Sequence, residues 1–288
     1  MHLETPILLA TDLDRTLLPN GPQPESPLAR PRFRRFAALA EVRLAYVTGR
    51  HKALVEQAMA EFDLPIPDFV IGDVGTSLYE VHDHAWEQRP DWQAAIRVDW
   101  VAHGVQLSHD KLAAALANIA EIRLQEPEKQ GTCKLSYYAR PLDDPSGLIT
   151  AVRCRLDAIG VRCNLIWSVD ETTATGLLDV LPARASKHHA LEFLRQYLGI
   201  PLDHTVFAGD SGNDMEVLES RVPSVLVANA RDSVREEAVA RALRHGHGDA
   251  LYLAQGGLGS MNGNYAAGIL EGVAHYIPET RHWLESQK

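Results

Sequence analysis

ILLATDLDRTLLPN, residues 7–20, decides the architecture. Four aliphatic or small residues, Ile7 to Ala10, lead almost directly into two carboxylates, Asp12 and Asp14. An uninterrupted apolar run closed by polar residues suits a strand buried on both faces of a parallel sheet. Residues i and i+2 of a strand face the same side. Asp12 and Asp14 are therefore expected to point together from the C-terminal edge, where open α/β sheets bind their ligands. Two packed acids repel unless a cation sits between them, and hard oxygen donors of this kind select magnesium. By itself the D-x-D pair is equally compatible with a turn cap or two solvated surface groups.

Working outward, further runs have the same character: RLAYVTGR (43–50), DFVIGDVG (68–75), GLLDVLP (176–182), TVFAGDSGND (205–214) and SVLVANA (224–230). Between them lie helix-like segments at 32–40, 51–62, 186–199 and 232–243. Strands alternating with helices argue for an α/β fold with a doubly wound parallel sheet. The Pro-rich piece 19–31 holds five prolines and reads as an ordered loop. From about His82 to Gly176 the alternation breaks. Here HAWEQRPDWQAAIRVDW, an alanine-rich helix near 110–124, TCKLSYYAR and VRCNLIWSV suggest two helical stretches and an antiparallel sheet. The expected organisation is a core of residues 1–81 plus 177–288, interrupted by an inserted α+β domain at 82–176.

The 288 residues suffice for a sizeable core, and 45% hydrophobic with 23% charged residues is ordinary for a globular protein. A formal net charge of -10 argues against non-specific nucleic-acid binding. No apolar run approaches a membrane span, and MHLETP lacks the basic flank and apolar segment of a signal peptide. A cytoplasmic protein is expected. Three cysteines, without C-x-x-C spacing, read as reduced buried thiols. The histidines of HGHG (245–248) and the pair His188–His189 read as solvated groups.

Other strand ends give the acid pair its context. Thr48 stands at the tip of the second strand, followed by Gly49 and Arg50. Asp210 ends a later strand, and Asn213 and Asp214 follow in a glycine-containing turn that opens a helix. Lys187 stands at a helix start, where a cation is unfavourable unless it serves a ligand anion. These four segments resemble the signature motifs of the haloacid dehalogenase superfamily of phosphatases: D-x-D-x-T (Asp12, Asp14, Thr16), the strand-two threonine, the lysine, and G-D-x-x-N-D from Gly209 to Asp214. The resemblance implies a Rossmann-like core with a cap inserted between the second and third motifs. It also implies Asp12 as nucleophile, Asp14 as general acid and then base, Thr48 and Lys187 on the phosphoryl oxygens, and Mg²⁺ on Asp12, the Asp14 carbonyl, Asp210 and Asp214. Partial protonation of Asp14 at substrate binding follows from that role.

The likeness extends to sucrose-phosphate phosphatases through VGTSLY, the spaced tryptophans 86, 92 and 100, CKLSYY, LLDVLPARASK and AAGILEGVAHY. It implies sucrose 6-phosphate as substrate and a sugar-phosphate synthase as upstream partner. Three departures leave another disaccharide phosphate open, mannosylfructose phosphate among them. They are Ser77 where glutamate is usual, Arg15 inside the first motif, and a glycine-rich loop at 254–266. Gly49, Arg50, Gly75, Thr76 and Asn213 are further candidates for substrate contact. On the inserted domain Lys134, Ser136 and Tyr138 would share one face of a strand and offer polar groups with an aromatic plate. A phosphosugar mutase, a phosphoacceptor signalling domain and a catalytically silent partner of a sugar synthase are the competing classes. The length of the chain and the early acid pair speak against the signalling domain.

Overall fold

The computed structural model describes residues 5–82, 85–170 and 173–286. The opening MHLE, part of the segment tested above for a signal peptide, lies outside them. The chain divides into two compact units: residues up to Gln88 together with those from Ala190, and Arg89–His189 between them.

The first unit opens with β1 (Ile7–Thr11), α1 (Ala29–Ala37), β2 (Val42–Val47), α2 (Lys52–Glu61), β3 (Phe69–Gly72), β4 (Ser77–His82) and β5 (Ala85–Gln88). The second carries α3 (Pro90–Arg97), β6 (Val101–Ala102), β7 (Val105–Gln106), α4 (His109–Leu116), β8 (Ile122–Leu124), β9 (Leu135–Ala139), α5 (Ser146–Ala158), β10 (Cys163–Asp170) and β11 (Thr175–Pro182). After α6 (Lys187–Leu198) come β12 (Thr205–Gly209), α7 (Met215–Leu218), β13 (Ser224–Leu226), α8 (Asp232–Arg244), β14 (Leu251–Leu253), α9 (Ala266–Tyr276) and α10 (Arg281–Ser286).

Among the described residues the first unit's sheet has eight strands in the order β14-β13-β12-β1-β2-β3-β4-β5. It is parallel from β14 to β3, and the β4 and β5 pairings are antiparallel. This is the Rossmann-like α/β layer expected from the alternation. Ile7, Leu8, Leu9 and Ala10 are fully buried because β1 is central and covered on both faces. Complete burial of each larger side chain contributes about 1.5–3 kcal/mol. The chain leaves β1 for β2 on one side and later returns through β12 on the other, so β1 marks the reversal of strand order. A crevice at the carboxyl ends of the strands forms at such a point.

Helix α9 is buried from Ala266 to Ala274, and its glycines explain how. A Cβ on Gly272 would stand 2.5 Å from that of Val225 on β13. The absence of a side chain there lets the helix axis approach the strand. Glu271 in the same helix is buried, and it accepts hydrogen bonds from the Tyr252 hydroxyl (2.8 Å) and the amides of Gln255 (3.0 Å) and Gly256 (2.9 Å). A buried carboxylate is tolerated when donors surround it in this way, and the start of the glycine-rich loop is thereby fixed.

In the second unit an antiparallel sheet runs in the order β10-β11-β9-β8. Leu112 and Leu116 of α4 and Val152 and Leu156 of α5 are buried, as are Leu178 and Val180 of β11. Asp99, fully buried, accepts from the Arg184 amide at 2.8 Å and pairs with Arg162 at 2.5 Å.

Several expectations change here. GLLDVLP is not a strand of the parallel sheet: it is β11, paired antiparallel with β10 and β9. A short apolar run gives no sign of its partners, but Asp179 within it marks a half-wet face. β5 extends the first sheet beyond the change of character at His82. The alanine-rich helix near 110–124 stops at Leu116, and Ile122–Leu124 is strand β8. Three helices, not two, lie in the described part of the insert. Pro31 joins the first turn of α1, where its missing N–H costs nothing. Cys133 and Cys163 are buried, whereas Cys154 is exposed, and all three are free thiols.

Candidate active site

The register of the first sheet converts sequence positions into neighbours. Thr11 pairs with Tyr46 on β2 and with Ala208 on β12. One or two residues further on, Asp12, Thr48 and Asp210 emerge from three adjacent strands. The Asp12 amide still donates to Ala208 O at 2.9 Å, and the Thr48 amide to Ile71 O at 2.8 Å. Asp12, Asp14, Arg15, Thr48, Gly49, Arg50, Asp210 and Asn213 line one cavity of about 300 Å³, together with Leu54 and Ser211.

The two acids of the opening motif converge by a different route from the one expected. β1 ends at Thr11, so strand alternation does not align them. The backbone turns instead: Arg15 has a φ of 59°, and the amides of Thr16, Leu17 and Leu18 all donate to Leu13 O. Asp12 is 3% exposed, whereas the Asp14 side chain is 44% exposed. Arg50 grips Asp14 with both ends of its fork, Nε to Oδ2 at 2.7 Å and Nη2 to Oδ1 at 2.6 Å. Asn20 Nδ2 adds a bond to Oδ1 at 2.8 Å. The hydrogen bond to Asp14 raises the Arg50 pKa above its already high value, so this cation persists at every physiological pH.

Asp12, Asp210 and Asp214 are all buried, and each offers a carboxylate oxygen within 4.8 Å of the others. Asp210 accepts from Thr16 Oγ1 at 3.3 Å. Asp214 is oriented through Oδ2 by the Asp210 amide (3.1 Å), the Ser211 amide (3.2 Å) and the Ser211 hydroxyl (3.3 Å). Its fit requires glycine at 209, where a Cβ would come within 2.6 Å of the carboxylate carbon. Three buried acids held together by design of the backbone demand positive charge. An all-oxygen donor set suits a hard metal ion, and this group could hold one.

Thr48 is 1% exposed, and its Oγ1 accepts from the Arg50 amide at 3.2 Å. Asn213 accepts from the Ser211 hydroxyl at 2.8 Å. Gly75 and Thr76 do not line the cavity. Thr76 Oγ1 instead donates within its own turn, to Asp73 O at 3.0 Å, and Gly75 supplies a φ of 94° there. Lys187, the first residue of α6, is 2% exposed.

In the second unit the candidate polar groups have partners within the unit. Ser136 is buried and donates to Asp179 Oδ1 at 2.6 Å, and Lys134 Nζ lies 3.9 Å from Asp179 Oδ2. Tyr138 donates to Glu126 at 2.7 Å, with Arg123 and Lys129 over its ring at 4.9 and 5.3 Å. Sequence reasoning passed over the polar partners of the candidate residues, Asn20 and Asp179, and took Arg15 only as a departure bearing on which sugar is contacted. Arg15 lay inside the motif and was the one signal available.

A doubly wound sheet whose central strand ends in D-x-D-x-T, with the acid cluster completed from G-D-x-x-N-D, defines a hydrolase of the haloacid dehalogenase type. The family profile of sucrose-6F-phosphate phosphohydrolase matches residues 5–277, and the chain belongs to that family. A haloacid dehalogenase-like hydrolase of Nitrosococcus oceani is 53% identical over 280 residues, covering 97% of this chain and 74% of that one. The mannosylfructose-phosphate phosphatase of Agrobacterium fabrum is 32% identical over 231 residues, 77% of this chain and 83% of that one. The fold matches that of the sucrose-phosphatase of Synechocystis with a TM-score of 0.71 at 24% identity, covering 94% and 98% of the two chains. The protein is a phosphoric monoester hydrolase acting on sugar phosphates. Among the described residues no helix is long and apolar enough to cross a membrane.

Proposed function

We propose that the protein hydrolyses sucrose 6-phosphate to sucrose and phosphate through an aspartyl-phosphate on Asp12, with Mg²⁺ as the metal. The observation that carries this reading is the convergence of Asp12, Thr48 and Asp210 on one cavity, with the Asp214 carboxylate grouped beside Asp12 and Asp210. The family match supports the disaccharide. Mg²⁺, held by Asp12, the Asp14 carbonyl, Asp210 and Asp214, would screen the phosphoryl charge from the attacking carboxylate.

The residues divide the work as follows. An Asp12 oxygen attacks phosphorus, the ester P–O bond breaks, and the departing alkoxide takes a proton from Asp14. Water then attacks the same phosphorus, gives its proton to Asp14, and the bond to Asp12 breaks. Thr48, the Gly49 and Arg50 segment and Asn213 orient the phosphoryl oxygens, and Lys187 neutralises them. The grip of Arg50 adds a constraint on this cycle. A guanidinium only donates, so the acid form of Asp14 must hold its proton on a lone pair that the fork leaves free.

The second unit acts as the cap in this proposal, with Lys134, Ser136 and Tyr138 reading the sugar, and Gly75 and Thr76 as further contacts. A phosphorylated disaccharide is made by glycosyl transfer onto a sugar phosphate, so a cytoplasmic synthase is the expected supplier. The identity to a mannosylfructose-phosphate phosphatase favours a second reading, in which that related disaccharide phosphate is the substrate. Phosphate release from a panel of sugar phosphates, with and without Mg²⁺, tests both. Sucrose 6-phosphate is expected at the top, and chelation should stop turnover. A higher kcat/KM for mannosylfructose phosphate selects the second reading, a preference for hexose monophosphates removes both, and a bisphosphate requirement would reveal a mutase.

A further inference from the structure

Arg15 stands inside the first motif without a part in the reaction, and it is held more firmly than the reaction requires. Its amide donates to Asn20 Oδ1 at 2.8 Å, and its carbonyl accepts from Asn229 Nδ2 at 2.6 Å. Its Nη2 donates to Asn229 O at 3.3 Å. Asn229 is itself fixed, since its Oδ1 accepts from the Tyr265 amide at 2.8 Å. The backbone at Arg15 is left-handed, with a φ of 59°, a conformation costly for an L side chain and retained only where surroundings enforce it. The result is that Nε lies 3.4 Å from Asp210 Oδ2, at the edge of the three buried acids. That nitrogen is buried and makes no hydrogen bond that meets normal geometry, so its contact with Asp210 is one of charge.

We propose that Arg15 is a built-in cation that sets the metal affinity of the acid group. This rests on the reading of Asp12, Asp210 and Asp214 as metal ligands. A fixed guanidinium beside Asp210 partly neutralises the group and repels an incoming divalent ion, so the ion is bound more weakly than three carboxylates alone would bind it. In the absence of the ion the same charge keeps the buried acids from repelling one another. The tether to Asn229 holds the guanidinium in place whether or not the ion is bound, so the effect is a lasting one on the equilibrium.

The test is direct binding of Mn²⁺ alone, with free ion read by its electron paramagnetic resonance signal, to the full-length protein and to R15Q, R15N and R15K. Asn tolerates left-handed backbone, so R15N guards against a folding failure in R15Q. Removal of the charge in R15Q and R15N should tighten Mn²⁺ by about tenfold at low salt, with the gain shrinking as ionic strength rises. R15K, which keeps the charge, should stay within about twofold of the parent. Equal or weaker binding in R15Q and R15N overturns the proposal, as does tightening in R15K to the same degree. D210N separates the two levels of the argument. Saturable binding by the parent that D210N weakens, with no change in R15Q, sinks the role of Arg15 and leaves the metal reading standing. Absence of saturable binding in the parent and in R15Q sinks both.

Discussion

Asp12 and Asp14 differ in burial and company, and their substitutions should differ accordingly. Asp12 is nearly inaccessible beside two more acids, and Asp12→Asn should release no detectable phosphate, because an amide cannot form the acyl phosphate. Asp14→Asn should lower kcat by about 10²–10⁴ with little change in KM, the range for loss of a general acid. Arg50→Lys replaces a bidentate fork with a point charge, so kcat should fall about tenfold as Asp14 loses its alignment, measured under saturating substrate. The cysteines give a prediction independent of catalysis. Burial pushes the Cys133 and Cys163 thiols up to about 11, so neither is a thiolate near neutrality. A thiol reagent at pH 8 should modify Cys154 alone in the folded protein and all three after denaturation. The sign of the stability effect follows from linkage. The unfolded chain releases these protons near pH 9 and the folded chain near 11, so their contribution is intact below 9 and is lost as the pH climbs through 11.

At the scale of elements, α9 tests the claim that glycine sets a helix–strand distance. Ala is the better helix former by about 1 kcal/mol, so propensity alone predicts that Gly272→Ala stabilises. The 2.5 Å approach to Val225 predicts the reverse, a net loss of about 1–3 kcal/mol read from urea unfolding, as overpacking does elsewhere. Elements also show where the sequence was legible. β1, β3 and β12 could be read from runs without a charge, because a strand covered on both faces leaves no position for one, and β2 departs from this only at Arg43 near its start. β11 is apolar to a similar degree and was misassigned to the same sheet, since pairing partners are chosen by the rest of the chain. The Thr11 to Leu18 turn was beyond reach for a related reason. Its left-handed Arg15 carries no glycine to announce it, and the side chains of Asn20 and Asn229 that hold it come from 5 and 214 residues away.

For the whole molecule, a metal ion held by the three buried acids would tie stability to that ion. An ion that binds the folded chain and not the unfolded one raises stability by about 2.7 kcal/mol at a hundred times its Kd. Thermal unfolding with Mg²⁺ should therefore shift upward by several degrees relative to chelated protein, and Asp210→Asn should abolish the shift. The sequence by itself determined the buried parallel strands, the motif order and the identity of the acids, because these depend on local apolar runs and on residues fixed within a few positions of a strand end. Only the tertiary structure decided that the Asp14 side chain goes to Arg50, that Ser136 and Lys134 are drawn to Asp179, and that Arg15 rests against the acid group. Those are choices among hydrogen-bond and charge partners distant in the chain. Such partners become neighbours only once register, turn geometry and burial have brought them together.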